Sequence, residues 1–280
     1  RLAAFQNPEF YRSQAMRLPT FAIPRIIGCA ELLSHHIALP RGCRDQVEEL
    51  FASQGVGVQL RDERNPGRPV EANFLGELTL EQQAAADALL QHDTGVLAAT
   101  TAFGKTVVAA SIIASRKTNT LILVHRRQLL DQWIARLSTF LDLPAKAIGQ
   151  IGGGKRKPTG IVDVAIIQSL VRKGAVDDIV SDYGHLVVDE CHHLSAVSFE
   201  AVVRRCKATH VLGLSATIKR KDGHHPIIFM QCGKVRFRVD ARRQADQRPF
   251  NHRVVLRQTA FALPPEMDDG QAPIQKIYTA

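Results

Sequence analysis

Ala99-Thr100-Thr101-Ala102-Phe103-Gly104-Lys105-Thr106 decides how the rest of this 280-residue chain is read. The stretch has the spacing of a phosphate-binding P-loop: a small residue, four of any kind, then Gly-Lys-Thr. Before it, Gly95-Val96-Leu97-Ala98 is a short apolar run of strand type. After it, the apolar residues 107–114 are too many for one strand and predict a buried helix. A loop between a strand and a helix N-terminus aims backbone N–H groups and the positive end of the helix dipole at one point, where a triphosphate can sit. All eight residues then cradle the nucleotide. Lys105 reaches the β- and γ-phosphates, the Thr106 hydroxyl binds Mg²⁺, and Gly104 lets the backbone come close because no Cβ is in the way. A chance Gly-Lys-Thr turn is the plainer alternative, and the flanking strand and helix argue against it.

Hydrophobic residues make up 45% of the chain, enough to bury the core of one large domain or two ordinary ones. The net charge of +9 is unevenly placed: residues 219–257 hold eleven Lys/Arg against three Asp/Glu, while residues 1–76 hold nine against eight. A local basic band points to a polyanion partner, the plainer alternative being a solvated basic face. Arg236, Arg238, Arg242 and Arg243 are its candidates for backbone contacts. Alternating Val235, Phe237 and Val239 predict a strand with Arg236 and Arg238 together on its other face. The five cysteines are scattered without a Cys-x-x-Cys pair, which suits a reduced, cytoplasmic setting. No run approaches the ~18 apolar residues of a membrane span. Starting at Arg1 rather than Met, the chain reads as part of a longer protein.

Residues 1–76 predict a small α+β module: a short helix within 5–17, strands at 25–30 and 36–39, an amphipathic helix over 45–54 and a strand at 56–60. Arg64-Asn65-Pro66-Gly67-Arg68-Pro69 has turn and linker composition. From Leu78 onward strands and helices alternate: helices over 81–90, 126–140 and 195–206, and strands at 120–125, 160–167, 185–189 and 211–215. A glycine-rich basic loop lies at 152–158. Such alternation predicts an α/β domain with a mainly parallel sheet covered by helices on both faces. Ligands of these sheets bind at the carboxyl ends of the strands, and the P-loop, Asp189 and Ser215 all fall at such ends.

Leu186-Val187-Val188-Asp189-Glu190-Cys191-His192 is an apolar strand ending in two adjacent carboxylates. Across from a P-loop, Asp189 can hold the hydrated Mg²⁺ and Glu190 can take a proton from an attacking water. An acidic turn capping the next helix is the plain alternative.

These residues together resemble the first RecA-like domain of superfamily 2 helicases and translocases of the DExH type. Asp189-Glu190-Cys191-His192 matches the DExH box. Ser215-Ala216-Thr217 matches the S-A-T element, which in that family couples hydrolysis to movement through the box histidine, here His192. Leu78-Thr79-Leu80-Glu81-Gln82 resembles the adenine-reading Q element, with Gln82 at the glutamine, although Thr79 and Glu81 stand where the family often has Arg and Tyr. Val124-His125-Arg126-Arg127-Gln128-Leu129 is similar to the strand-contacting motif Ia, with Arg127 at its arginine. Ile167-Gln168-Ser169-Leu170 resembles a later nucleic-acid element whose threonine is replaced by Ile166. The run from Ser215 to Gly223 is similar to the S-A-T-x-x-R-x-D-G signature of XPB-like and type III restriction-like helicases, which brings in Arg220. The resemblance extends to the N-terminal module through Leu39-Pro40-Arg41-Gly42 and Arg61-Asp62-Glu63-Arg64. Bacterial proteins in which such a helicase follows a primase-like domain are a further likeness.

The resemblance implies an ATP- and Mg²⁺-dependent helicase or translocase acting on nucleic acid, with DNA the expected polymer. It implies a small module at 1–76, the ATP-binding domain at 77–258 and a linker at 259–280 toward a second RecA-like domain that completes the site. The chain alone is then expected to be nearly inactive. Two rivals remain at this point: a nucleic-acid-binding module with a vestigial P-loop, and a P-loop NTPase or kinase unrelated to nucleic acid. Trp133 reads as helix packing rather than base stacking. The 152–157 loop reads as a contact to nucleic-acid backbone, a second phosphate cradle or plain surface. The histidine pairs 192–193 and 224–225 lack metal-ligand spacing.

Overall fold

The computed structural model describes residues 2–172, 174–193, 197–217 and 223–239. Arg220, Arg242, Arg243 and the 259–280 stretch lie outside them. The N-terminal part holds strand β1 (Ala4–Gln6), helix α1 (Pro8–Ala15), β2 (Ile26–Gly28), β3 (Glu31–Leu32), β4 (Ile37–Ala38) and α2 (Arg44–Ser53). Asn7 caps α1 by accepting from the Glu9 amide, and Pro8 supplies a first helical residue that needs no donor. The strand expected at 56–60 does not form. Val56, Val58 and Leu60 are exposed, and a glycine-interrupted segment with no strand paired to it among the described residues gains nothing from alternation.

The main domain continues with α3 (Leu80–Leu90), β5 (Thr94–Ala98), α4 (Lys105–Arg116), β6 (Thr120–Val124), α5 (Arg127–Phe140), β7 (Ile148–Gly152), β8 (Lys155–Lys157), β9 (Val162–Ile166), a small hairpin of β10 (Val171–Arg172) and β11 (Ala175–Val176), β12 (His185–Val188), α6 (Val197–Arg205), β13 (His210–Ser215), α7 (Pro226–Cys232) and β14 (Val235–Arg238). Eight strands form one sheet in the order β14-β5-β13-β12-β6-β9-β7-β8. Every pairing is parallel except the edge hairpin β7–β8. The residues 152–158, expected as a loop, therefore close that hairpin.

Side chains alternate cleanly across the sheet. Leu97, Ile122, Val164, Val187 and Leu212 pack under α3, α4 and α5. Val96, Leu121, Ala165, Leu186 and Val211 pack on the other face under α6 and α7. With both faces sealed by apolar residues, polar chemistry is confined to the strand ends. Strand β14 breaks the rule at a bulge between Val235 and Phe237. Val235 joins one core and Phe237 and Val239 the other, so the regular alternation expected there is lost.

The linker-like residues 64–70 run across the amino-terminal edge of the sheet and are bound to it. Asn65 exchanges backbone hydrogen bonds with Lys207 and Thr209. The buried Asn119 side chain accepts from the amides of Arg68 and Gly184 and donates to the carbonyls of Gly160 and Asp182. Gly67 has φ +81°, and a Cβ there would collide with Asn119 and Thr118. No helix among the described residues is long and apolar enough to cross a membrane.

His185 opens β12 at the same edge, wholly buried, with Nδ1 3.3 Å from Thr120 Oγ1. Burial pushes its pKa down to about 3, helped by His210 and Arg116. The unfolded imidazole protonates near 6.5, so below that pH the unfolded chain gains a proton that the folded chain refuses. Its contribution is intact above pH 6.5 and is lost as the pH falls toward 3. Between pH 7 and 5 the loss is about 2 kcal/mol. Urea unfolding at the two pH values is expected to show this drop, and His185→Gln to reduce it.

Candidate functional site

The P-loop forms where expected. Strand β5 ends at Ala98, Gly104 adopts φ +86°, and α4 begins at Lys105. The left-handed turn requires glycine, and an added Cβ would also come within 2.8 Å of Gln82 Nε2. Lys105 Nζ, almost fully buried, donates to the carbonyls of Ala99 at 3.0 Å and Thr100 at 3.4 Å. Thr106 follows in the first turn of α4.

Gln82 sits beside the loop rather than apart from it. At the start of α3 it completes a capping box: its amide nitrogen binds Thr79 Oγ1 and its Oε1 accepts from the Thr79 amide. Its Nε2 donates to Phe103 O at 2.7 Å. The glutamine thus ties the start of α3 to the crest of the P-loop.

Strands β12 and β13 deliver the second half. Asp189 is 7% exposed, and burial raises its pKa, partly offset by the Trp133 indole. Its Oδ2 accepts from Trp133 Nε1 at 2.8 Å and its Oδ1 from the Glu190 amide at 3.0 Å. The next residue, Glu190, has φ +48°, a strained conformation for a side chain with a Cβ. That turn ends the strand and sets the Glu190 carboxylate between two partners. Oε1 lies 3.9 Å from Lys105 Nζ, and Oε2 lies 3.1 Å from His192 Nδ1. The same Nδ1 is 3.0 Å from Ser215 Oγ. Ser215 Oγ is also 2.8 Å from Thr217 O, so one ring nitrogen stands within reach of both the hydroxyl and the carboxylate. Glu190 Oε2 is buried, and its contact with the imidazole is an ion-pair contact without hydrogen-bond geometry. His193 stacks between His125 and His192, with ring centroids 4.2 Å from each.

The loop, the Asp189–Glu190 turn and Ser215 therefore meet at one end of the sheet, because parallel register sets Ser215 opposite Ala98. Trp133 was legible as helix packing, and it is buried in that role. Its hydrogen bond to Asp189 had no signal in the sequence, because the partners are 56 residues apart.

The residues assigned to nucleic acid divide. Arg127 and Gln168 are exposed, and Ser169 is half-buried. The hairpin turn joins them: an added Cβ on Gly153 would contact Arg127, and one on Gly152 would meet Ser169 Oγ. Gly152, Gly153 and Gly154 all have positive φ and lead into exposed Lys155, Arg156 and Lys157, of which Arg156 pairs with Asp177. Arg236 stands apart. It is paired with Asp45 at 2.8 Å and donates to Thr94 O at the opposite edge of the sheet, while Arg238 is exposed.

A RecA-like α/β domain with a P-loop and a DExH box is the class that this arrangement defines. The family described as type III restriction enzyme, res subunit, matches residues 75–220, just over half of the chain, and the chain belongs to it. Among curated relatives, the DNA 3'-5' translocase XPB2 of Sulfurisphaera tokodaii is 31% identical over 162 residues, covering 58% of this chain and 36% of that protein. A protein of Acanthamoeba polyphaga mimivirus named as an ATP-dependent RNA helicase is 31% identical over 172 residues, covering 59% and 32%. The chain thus spans about a third of the length of these relatives. The crystal structure of the UvsW helicase from bacteriophage T4 matches with a TM-score of 0.63 over 85% of this chain and 90% of that one, at 18% identity, a likeness of fold.

Gln82→Ala removes the donor on Phe103 O. A lost hydrogen bond of ~1 kcal/mol is worth about fivefold in binding. GTP affinity, measured by calorimetry, is expected to fall by about that factor, and ATP affinity by more, since the same amide is expected to serve the adenine. A loss confined to ATP would put the glutamine on the base alone.

Proposed function

We propose that this chain is the ATP-binding part of a nucleic-acid helicase or translocase and that DNA is its polymer. The observation that carries the reading is the convergence of Lys105, Glu190, Asp189 and the His192–Ser215 contact at the strand ends, on the same molecule as an exposed basic track. The names of the relatives support nucleic acid as partner, and those naming DNA support the choice of polymer. A longer UvsW structure, of which this chain covers 51%, is consistent with a second RecA-like domain in the whole protein.

In this reading the P-loop amides of residues 99–106 and Lys105 hold the triphosphate, Lys105 leaving the carbonyls of Ala99 and Thr100 to do so. The donor set fits Mg²⁺: the Thr106 hydroxyl and the Asp189 carboxylate are hard oxygen ligands, and Asp189 is buried within the field of Lys105, where a second cation would be matched by the phosphates. When bound, Mg²⁺ would neutralise charge on the β- and γ-phosphate oxygens. Glu190 takes the proton of the attacking water. His192, touching both Glu190 and Ser215, carries the change at the carboxylate to the S-A-T loop. Arginines from the second domain would complete the charge stabilisation, a contribution of ~10³–10⁵ where such fingers have been measured. Arg127, Gln168, Ser169 and the β7–β8 hairpin offer the strand a track of backbone contacts, and Arg220 and Arg238 are separate candidates for such contacts. Gln82 serves the adenine as well as the loop, since its amide keeps a second hydrogen and a second lone pair.

The test separates binding from turnover in the full-length protein. Lys105→Ala is expected to weaken ATP binding. Glu190→Gln is expected to bind ATP within a few-fold of the parent and lose at least ~10²-fold in turnover, as for removal of a general base. Turnover by Glu190→Gln at the parent rate would remove Glu190 from the chemistry.

A further inference from the structure

The only tryptophan in the chain sits at the metal-side carboxylate of the proposed site. Trp133 is buried in the core under α5, and its Nε1 donates to Asp189 Oδ2 at 2.8 Å. The other oxygen, Oδ1, takes the Glu190 backbone amide. The indole is therefore the one side chain among the described residues with a hydrogen bond to Asp189. A short carboxylate at a strand tip can rotate about χ1 and χ2. Two donors from different elements, one per oxygen, leave it one orientation.

The donor is itself rigid. Trp133 lies in the middle of α5, with Leu130 and Leu137 of the same helix buried around it in the same core. Packing an indole needs only an apolar slot, and phenylalanine would fill it. Burying its N–H demands an acceptor, and the acceptor chosen is the carboxylate that faces the P-loop. The same helix begins at Arg127, beside the hairpin track, so one rigid element joins the nucleic-acid face to Asp189.

We propose that Trp133 is a positioning residue: its indole N–H holds the Asp189 carboxylate in the orientation that accepts Mg²⁺ with the nucleotide. The proposal rests on the metal role given to Asp189 above. Partners of this kind, one shell behind a metal ligand, are worth ~10–100-fold in metal affinity.

The test reads binding rather than hydrolysis. Full-length protein is titrated with Mg²⁺ at fixed fluorescent ADP, and polarisation gives the Mg²⁺ concentration at half-maximal tight binding. Trp133→Phe keeps the ring and deletes the donor. It is expected to raise that midpoint at least ~10-fold while leaving ADP affinity in EDTA unchanged. Leu137→Val, a change in the same core away from Asp189, is expected to lower stability and leave the midpoint in place. If Trp133→Phe keeps the parent midpoint while Asp189→Ala loses Mg²⁺ dependence, the indole only packs and the proposal is overturned, with the metal reading intact. If binding by the parent ignores Mg²⁺, or Asp189→Ala keeps the parent midpoint, the metal reading falls and the proposal with it. Should Trp133→Phe fail to fold, the parent decides through the part of its indole emission that Asp189→Ala alters, which reports Trp133 whatever other tryptophans the full-length protein holds. Adding Mg²⁺ to the ADP-bound protein should change that emission with the polarisation midpoint, and emission that stays flat through a Mg²⁺-dependent rise in polarisation overturns the proposal.

Discussion

Parallel strand register is the constraint on which the rest of this molecule depends. Seven strands point one way and are sealed on both faces by aliphatic side chains. Backbone hydrogen bonding then fixes where each strand ends relative to its neighbours. Ser215 sits opposite Ala98, and Val188 lies between Leu123 and Gly213. The polar residues that follow each strand are delivered to one edge, so the core brings a phosphate loop, a carboxylate pair and a serine-histidine contact together, and the left-handed turns at Gly104 and Glu190 set their final geometry. The opposite edge is closed by residues 64–70, pinned through Asn119 to two other connections, one at Gly160 and one at residues 182–184.

Within the site, charge and conformational strain are balanced locally. Glu190 is held in a left-handed conformation that costs about 1–3 kcal/mol, and the return is a carboxylate placed between an ammonium and an imidazole. Lys105 is nearly buried yet has two carbonyls and that carboxylate around it, so its charge is not left unpaired. Asp189, raised by burial, is held by the indole and by the amide of the strained residue beside it. Each of the three charged groups is thus positioned by contacts from a different element, which is how such a site is kept to a fraction of an ångström.

Much of this was legible in the sequence because it is local. The P-loop spacing, the apolar strand before Asp189 and the Ser-Ala-Thr run each carry their signal within ten residues, and the alternation of strands and helices follows from hydrophobic period alone. What was not legible depends on partners far away in the chain. The bulge at Val235–Phe237 removed the common face expected for Arg236 and Arg238, and Arg236 turned to Asp45, 191 positions away. Residues 56–60 alternate as a strand would but have no partner strand among the described residues. The basic loop at 152–158 became a hairpin because Gly152–Gly154 can take positive φ, a freedom that glycine advertises without saying how it will be used. Gln82 was named from its motif, but its bond to Phe103 O and that of Trp133 to Asp189 are contacts that no spacing rule encodes.

The proposed function has this edge hydrolyse ATP in the service of a nucleic-acid polymer. The most direct measurement is steady-state ATP turnover by the full-length protein with no polymer, with single-stranded DNA, with duplex DNA and with RNA, at one fixed salt concentration. Turnover is expected to be low without polymer and to rise at least ~10-fold with DNA, more than with RNA. Turnover that is the same in all four conditions would contradict the proposed function.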